Sequence, residues 1–222
     1  MNSPKTDLVI AIDGPAGAGK STVSKLISQK TGLPLLDTGA MYRCVALTCL
    51  EQGADFANEA KCQEIAEKIE ISFEAGSPQK VFANGKEVTD AIRTPETSQA
   101  ASKVSVNSGV RRALVAMQKE FVNRGGLVLE GRDVTTVVAP NAQVKVFLTA
   151  SIEERARRRW LELKQKGSEL SLNQIVHEVI ERDYRDYTRD DSPLCLAETA
   201  VIVESFGRTP EEIANQIIAL AP

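Results

Sequence analysis

The chain has 222 residues, a formal net charge of −3, 42% hydrophobic and 26% charged residues. That length and balance suit one globular unit with a small appended subdomain. The mild acidity argues against a binder relying on bulk attraction to nucleic acid, no apolar run is long enough to cross a bilayer, and four cysteines (Cys44, Cys49, Cys62, Cys195) without C-x-x-C spacing argue against a zinc site. Residues 1–7 carry no apolar leader, so reduced thiols and a cytoplasmic location are expected, with no membrane or nucleic-acid partner.

Residues 8–12, Leu-Val-Ile-Ala-Ile, are a short β-branched run that predicts a buried parallel strand. It leads into Gly14-Pro15-Ala16-Gly17-Ala18-Gly19-Lys20-Ser21, which matches the phosphate-loop pattern G-x-x-x-x-G-K-[ST] at every position, and Thr22 continues into a predicted helix. Glycines let backbone N–H groups curl round an anion, and a helix N-terminus adds its positive end. Lys20 can then reach β- and γ-phosphates, and the Ser21 hydroxyl can sit on Mg²⁺. The expected ligand is a nucleoside triphosphate.

Thr31-Gly32 is a helix stop, and residues 33–36 predict a second short strand. Asp37 or Thr38 can cap a helix that runs to about Glu51 and ends at Gly53. Residues 58–69 have helical periodicity and residues 71–73 look extended. Asn84-Gly85 between residues 80–83 and 86–89 is a strong hairpin cue. A hairpin is out of place in an alternating strand–helix chain. The expected architecture is therefore an α/β, doubly wound parallel sheet of residues 1–36 and 94–222, with residues 37–93 inserted as a small subdomain. Helices are predicted over 95–105 and 109–123, and strands over 127–129, 144–148 and 200–203. Ser151 with Glu154 reads as a capping box opening an arginine-rich helix. With the polar break at 164–168, residues 153–172 form a helical lid on this reading. Helices over 172–187 and 210–219 complete the chain.

Polar residues just past strand ends fall on the ligand-binding edge of such a sheet. These are Asp37, Thr38 and Arg43 after the second strand, and Glu130, Arg132 and Asp133 after the third. Arg155, Arg158 and Arg159 share one helical face, with Arg157 turned away. They read either as a solvated face paired with Glu153, Glu154 and Glu162, or as guanidinium groups supplied to a transferring phosphoryl. Arg182, Arg185, Asp186 and Arg189 also share a face, which reads either as ordinary surface pairing or as suited to a second phosphate. His177 looks buried in an amphipathic helix and reads as structural, and Tyr184 and Tyr187 read as packing.

Together these blocks (12–22, 36–43, 92–94, 130–133 and 181–194) resemble the bacterial-type cytidylate kinases of the nucleoside monophosphate kinase group, over essentially the whole chain. The resemblance implies ATP-dependent, Mg²⁺-assisted phosphorylation of CMP and dCMP by a monomer. By position, Arg43, Arg132 and Arg189 would hold the acceptor's phosphate, Tyr42, Arg182 and Asp186 would lie along its sugar, and Ser102, Arg111 and Asp133 would read the cytosine edge. Lys20, Arg132, Arg155, Arg158 and Arg159 would be the catalytic cations. Two departures stand out: Glu130 where the family often has Asp, and Val134-Thr135-Thr136 where it has Ile-Gly-Thr or Met-Gly-Thr. Competing readings are a phosphate-loop kinase for UMP or a metabolite alcohol, a nucleotide switch, and a nucleic-acid ATPase. The switch lacks an Asn-Lys-x-Asp guanine reader, and the net acidity weighs against the ATPase.

Overall fold

The computed structural model describes residues 7–74, 76, 79–165 and 167–222. Residues 1–6 of the expected leaderless N-terminus and Lys166 of the polar break lie outside the described residues. In chain order the elements are β1 (Val9–Asp13), α1 (Lys20–Thr31), β2 (Leu35–Asp37), α2 (Thr38–Glu51), α3 (Glu59–Lys68), β3 (Ile71–Glu74), β4 (Lys80–Ala83) and β5 (Lys86–Glu87). A 3₁₀ turn (Ala91–Arg93) precedes α4 (Pro95–Val104), α5 (Ser108–Asn123) and β6 (Leu127–Glu130). After a π-helical turn (Val134–Val138) come β7 (Val144–Thr149), α6 (Ile152–Gln165), α7 (Leu172–Thr188), β8 (Val201–Glu204) and α8 (Pro210–Ile218). The chain divides into two compact units, one ending at Leu36 and resuming at Arg124, the other Asp37–Asn123.

The first unit is built on a five-stranded sheet in the order β2-β6-β1-β7-β8, with β1–β6, β1–β7 and β7–β8 all parallel. β1 lies in the middle, and all five of its residues are buried. That position is why its sequence is a continuous apolar run rather than an alternating one. Ile10 and Ile12 pack with Val23 and Ile27 of α1 and with Ile213 and Ile217 of α8. Each such side chain contributes about 1.5–3 kcal/mol by leaving water. Successive parallel strands bring their following loops to one edge: the glycine-rich loop after β1, Gly131–Asp133 after β6, and the start of α6 after β7.

Local signals shape the helix ends. Gly32 is left-handed (φ 73°) and its N–H donates to Ser28 O at 2.9 Å, the stop expected at Thr31-Gly32. The capping box expected at Ser151 forms only by half. Glu154 N donates to Ser151 Oγ, but the Glu154 carboxylate is taken by Arg157 and Arg158 instead. Complete boxes form at Ser171/Gln174 and Thr209/Glu212. His177, expected to be buried, is exposed on α7, and so are Tyr184 and Tyr187. The apolar face of α7 is carried by Ile175 and Val179, against Ala156 and Leu163 of α6.

In the second unit, Asn84 (φ 50°) and Gly85 (φ 77°) form the β4–β5 turn, a position where positive φ at both residues favours Asn-Gly. β3 adds to the hairpin as a third antiparallel strand, with Phe73 opposite Val81. This compact unit runs to Asn123, beyond the boundary expected at residue 93. α4 packs on α2 and α5 on α3, so Ala100, Val104 and Leu114 have their core here. Among the described residues no helix is long and apolar enough to cross a membrane.

Candidate active site

The loop after β1 owes its path to glycine. At Gly14 (φ 148°) a Cβ would collide with the Leu148 carbonyl of β7, so only glycine lets the chain turn there. Gly19 (φ 99°) stands at the N-cap of α1 with no side-chain cap, and no acidic residue occupies the first turn. The first N–H groups of α1 are thus aimed, with the helix dipole, at an anion. Lys20 is buried, and its Nζ donates to Gly14 O at 2.6 Å and Pro15 O at 2.8 Å. Burial, and next the charge of Arg132, pulls its pKa well below that of an ordinary lysine. Ser21 and Thr22 are exposed on the same first turn. No group of three or more His, Cys, Asp or Glu among the described residues could hold a metal. The one loop hydroxyl at Ser21 fits Mg²⁺, which uses few protein ligands and leans on substrate phosphates.

The residue before the loop, Asp13, drew no functional reading from the sequence and proves central. It is fully buried, and its carboxylate accepts from Val134 N (2.9 Å), Thr135 N (2.7 Å) and Thr135 Oγ1 (2.6 Å). Burial pushes its pKa up to about 6 against the opposing pull of the Thr135 bonds. It therefore ties the start of the phosphate loop to the turn that follows Arg132 and Asp133. The departure at Thr135 has a direct consequence, because the hydroxyl that a glycine would lack supplies one of the three bonds.

The arginines of α6 divide. Arg155 is buried, and all three guanidinium nitrogens are engaged. Nε donates to Ala150 O at 3.0 Å, Nη1 to Ala16 O at 3.0 Å, and Nη2 pairs with Asp183 at 2.7 Å. Arg158 pairs with Glu154 at 2.7 Å and donates to Ser205 Oγ and O at 2.9 and 3.0 Å. Arg159 makes an ion pair within its own helix, to Glu162 at 3.1 Å. Pairing with a carboxylate of the same helix, the first of the two readings, thus holds for Arg158 and Arg159. Arg159 belongs to the paired surface, while Arg155 and Arg158 reach the loops after β1, β7 and β8.

α7 carries a second charged cluster. Arg132 Nε donates to Asp186 Oδ2 at 2.8 Å, and Arg189 lies 3.7 Å from Asp186 and 3.9 Å from Asp133. Arg189 is held by two further bonds to Ser192 O, at 2.7 and 2.9 Å. Ser192 takes a left-handed φ of 51°. Burial of Asp186 opposes its charge, but Arg132 and Arg182 overcome this and hold the carboxyl below the usual carboxylate range. Glu130 is buried at the end of β6, and its charge, like those of Arg132 and Arg182, is felt by Lys20. The fold thus gathers Lys20, Glu130, Arg132, Asp133, Arg182, Asp186 and Arg189 in one unit.

The other expected residues belong to the second unit. Asp37 caps α2 by accepting from Ala40 N at 2.9 Å and pairs with Arg43 at 2.8 Å. Thr38 is buried in the first turn of α2. The Arg111 guanidinium sits over the Tyr42 ring, 5.5 Å from its centroid, and donates to Ser105 O at 3.3 Å. Ser102 is buried on α4. Asp183 and Ser205, like Asp13, were not anticipated. Asp183 lies three residues before Asp186 on the same face of α7, the one sequence signal that could have found it.

The family model described as "Cytidylate kinase" matches residues 10–222. A cytidylate kinase of Desulforamulus reducens is 47% identical over 209 residues, covering 94% of each chain. One from Desulfitobacterium hafniense is 44% identical over 216 residues, 97% of this chain and 93% of the relative. Among solved structures, an uncharacterized protein from Eubacterium ventriosum shares the fold with a TM-score of 0.53 at 13% identity, covering 96% of this chain and 97% of its own.

Proposed function

The chain belongs to the cytidylate kinase family, and from that membership we infer that it transfers the γ-phosphoryl group of ATP to CMP and dCMP, yielding ADP and the cytidine diphosphates. The observation that carries this is the family match running from the phosphate loop to the last residue.

On this reading, an oxygen of the acceptor's 5′-phosphate attacks the γ-phosphorus in line as the β,γ-bridging bond breaks. That oxygen is already anionic, so no general base is required. The exposed position of the lone His177 is consistent with such chemistry. What the protein must supply is position and positive charge. The loop amides between Gly14 and Ser21, with Thr22 beside them, cradle the donor's phosphates, and Lys20 spans β- and γ-oxygens. Ser21 would hold Mg²⁺, which would supply positive charge against the donor's phosphates. Arg43, Arg132 and Arg189 grip the acceptor's phosphate, and Arg158 adds charge from α6. Tyr42, Arg182 and Asp186 serve the sugar. Ser102, Arg111 and Asp133 read the base, where a carboxylate suits the amine of cytosine and leaves uracil's carbonyl repelled. Asp37, Thr38 and Glu130 complete the acceptor set. The unit Asp37–Asn123 is then the acceptor-binding subdomain and α6 the start of a lid. The family resemblance also supports a cytoplasmic monomer of pyrimidine nucleotide metabolism that acts on small molecules.

A coupled assay for ADP, with Mg²⁺-ATP and CMP, dCMP, UMP or AMP as acceptor, tests this. Turnover of CMP and dCMP well above that of UMP is expected. Absence of ADP with saturating CMP would overturn the proposal.

A further inference from the structure

We infer that Arg155 is a positioning residue for the phosphate loop rather than a ligand of the transferring phosphoryl group. This rests on the kinase reading above for what the loop holds. Each of its three guanidinium nitrogens already has a partner within the fold: Nε serves the Ala150 carbonyl after β7, Nη2 the Asp183 carboxylate, and Nη1 the Ala16 carbonyl inside the loop. The side chain is only 4% exposed.

The contact with Ala16 has a geometric consequence. In a trans peptide the C=O and the following N–H point in opposite directions. Fixing the Ala16 carbonyl on Arg155 therefore turns the Gly17 N–H away from α6, to the opposite side of the loop. Gly17 itself rests on Arg155. A Cβ there would stand 3.1 Å from both Arg155 Cβ and Arg155 O, so the loop has no slack toward the helix. The arginine thus sets the plane of one peptide and the depth of the loop together. Through Asp183 it also braces α7 at a position between Arg182 and Asp186. A displacement of about 1 Å in such a cradle is enough to cost on the order of a hundredfold in rate.

Arg155→Lys is the decisive variant. Lysine can keep the ion pair with Asp183, but it cannot reach three acceptors with a planar fork. Calorimetric binding of ATP and of ADP, with the KM for CMP alongside, separates the two roles. For a positioning residue, ATP and ADP affinities fall together by about tenfold or more, and the KM for CMP stays within twofold. Loss confined to ATP, leaving ADP affinity intact, would mark a γ-phosphate ligand and overturn the inference. So would unchanged affinity for both nucleotides. Asp183→Asn removes the negative charge of the pair while keeping a hydrogen-bond acceptor, so the hold on the guanidinium weakens, and a parallel but smaller loss for ATP and ADP is expected. Unchanged nucleotide affinity in Asp183→Asn, should Arg155→Lys not fold, counts against the inference equally. Wild-type protein that binds ATP but makes no ADP from CMP would remove the kinase reading while leaving this comparison interpretable.

Discussion

Replacing Thr135 by valine removes one oxygen from a buried site and little else. In the wild type that hydroxyl donates to Asp13 Oδ2 at 2.6 Å, with Thr135 1% exposed and Asp13 fully buried. A hydrogen bond to a charged group contributes about 1.5–3 kcal/mol. For a chain of this size each kcal/mol moves the melting temperature by about 2–4 °C, so a drop of roughly 3–12 °C is expected at pH 8. The pH dependence is the sharper test. The folded carboxyl of Asp13, pushed up to about 6 by burial, lies above its ordinary 3.8, so the folded state takes the proton first as pH falls. Stability contributed by this group is fully present below about 3.8 and is lost as pH rises through about 6. Losing the hydroxyl raises that pKa further, because the hydroxyl favours the ionised form. At pH 5 the carboxyl is already mostly neutral, and the missing bond is worth only about 0.5–1.5 kcal/mol. The Thr135→Val penalty should therefore be larger at pH 8 than at pH 5. Urea denaturation of both proteins at the two pH values measures it. A penalty below about 0.5 kcal/mol at pH 8, or one that does not change with pH, would refute the reasoning.

Lys20→Ala should abolish turnover while leaving the fold, since its Nζ donates to Gly14 O and Pro15 O of its own loop; near-normal rate in a folded variant would contradict the assigned role. Arg132→Ala takes from the buried Asp186 its 2.8 Å partner and leaves it Arg189 at 3.7 Å and the charge of Arg182, so the cost should fall below the roughly 3–5 kcal/mol of a buried charge left wholly unpaired. The same change should lower kcat and kcat/KM for CMP together, and unaltered stability and kinetics would count against it. Because Asp186 is held below the carboxylate range, its contribution is present above its ordinary pKa and lost as pH falls through the lowered value, so the stability gap should narrow in acid. Asp133→Ala should narrow the preference for CMP over UMP; steady-state kinetics with both acceptors decides, and an undiminished preference would remove Asp133 from base reading.

The phosphate loop was legible because its chemistry is local. Gly14, Gly19 and Lys20 are required by a backbone path and a reach that lie within eight residues. The hairpin at Asn84-Gly85 was legible for the same reason, as was the stop at Gly32. The end of the second unit was not. Its boundary at Asn123 depends on α4 and α5 packing onto helices that precede them by tens of residues, and nothing inside 94–123 announces that choice. His177 misled because amphipathic spacing specifies a stripe, while its exact width depends on what α6 offers opposite.

The sequence by itself determined the phosphate loop: a strand, a glycine-bearing turn and a lysine at the head of a helix. Short-range sterics and helix geometry permit little else there. It also determined that arginines would be plentiful, without saying which were free to meet a phosphate. Only the tertiary structure gave each its neighbours, setting Arg155 on Ala150, Ala16 and Asp183 and Arg132 on Asp186. It alone revealed Asp13 as the tie to Thr135, 122 residues away. The physical reason is that a charge's role depends on its neighbours in space and on the water it has lost, and both are settled only when distant segments pack.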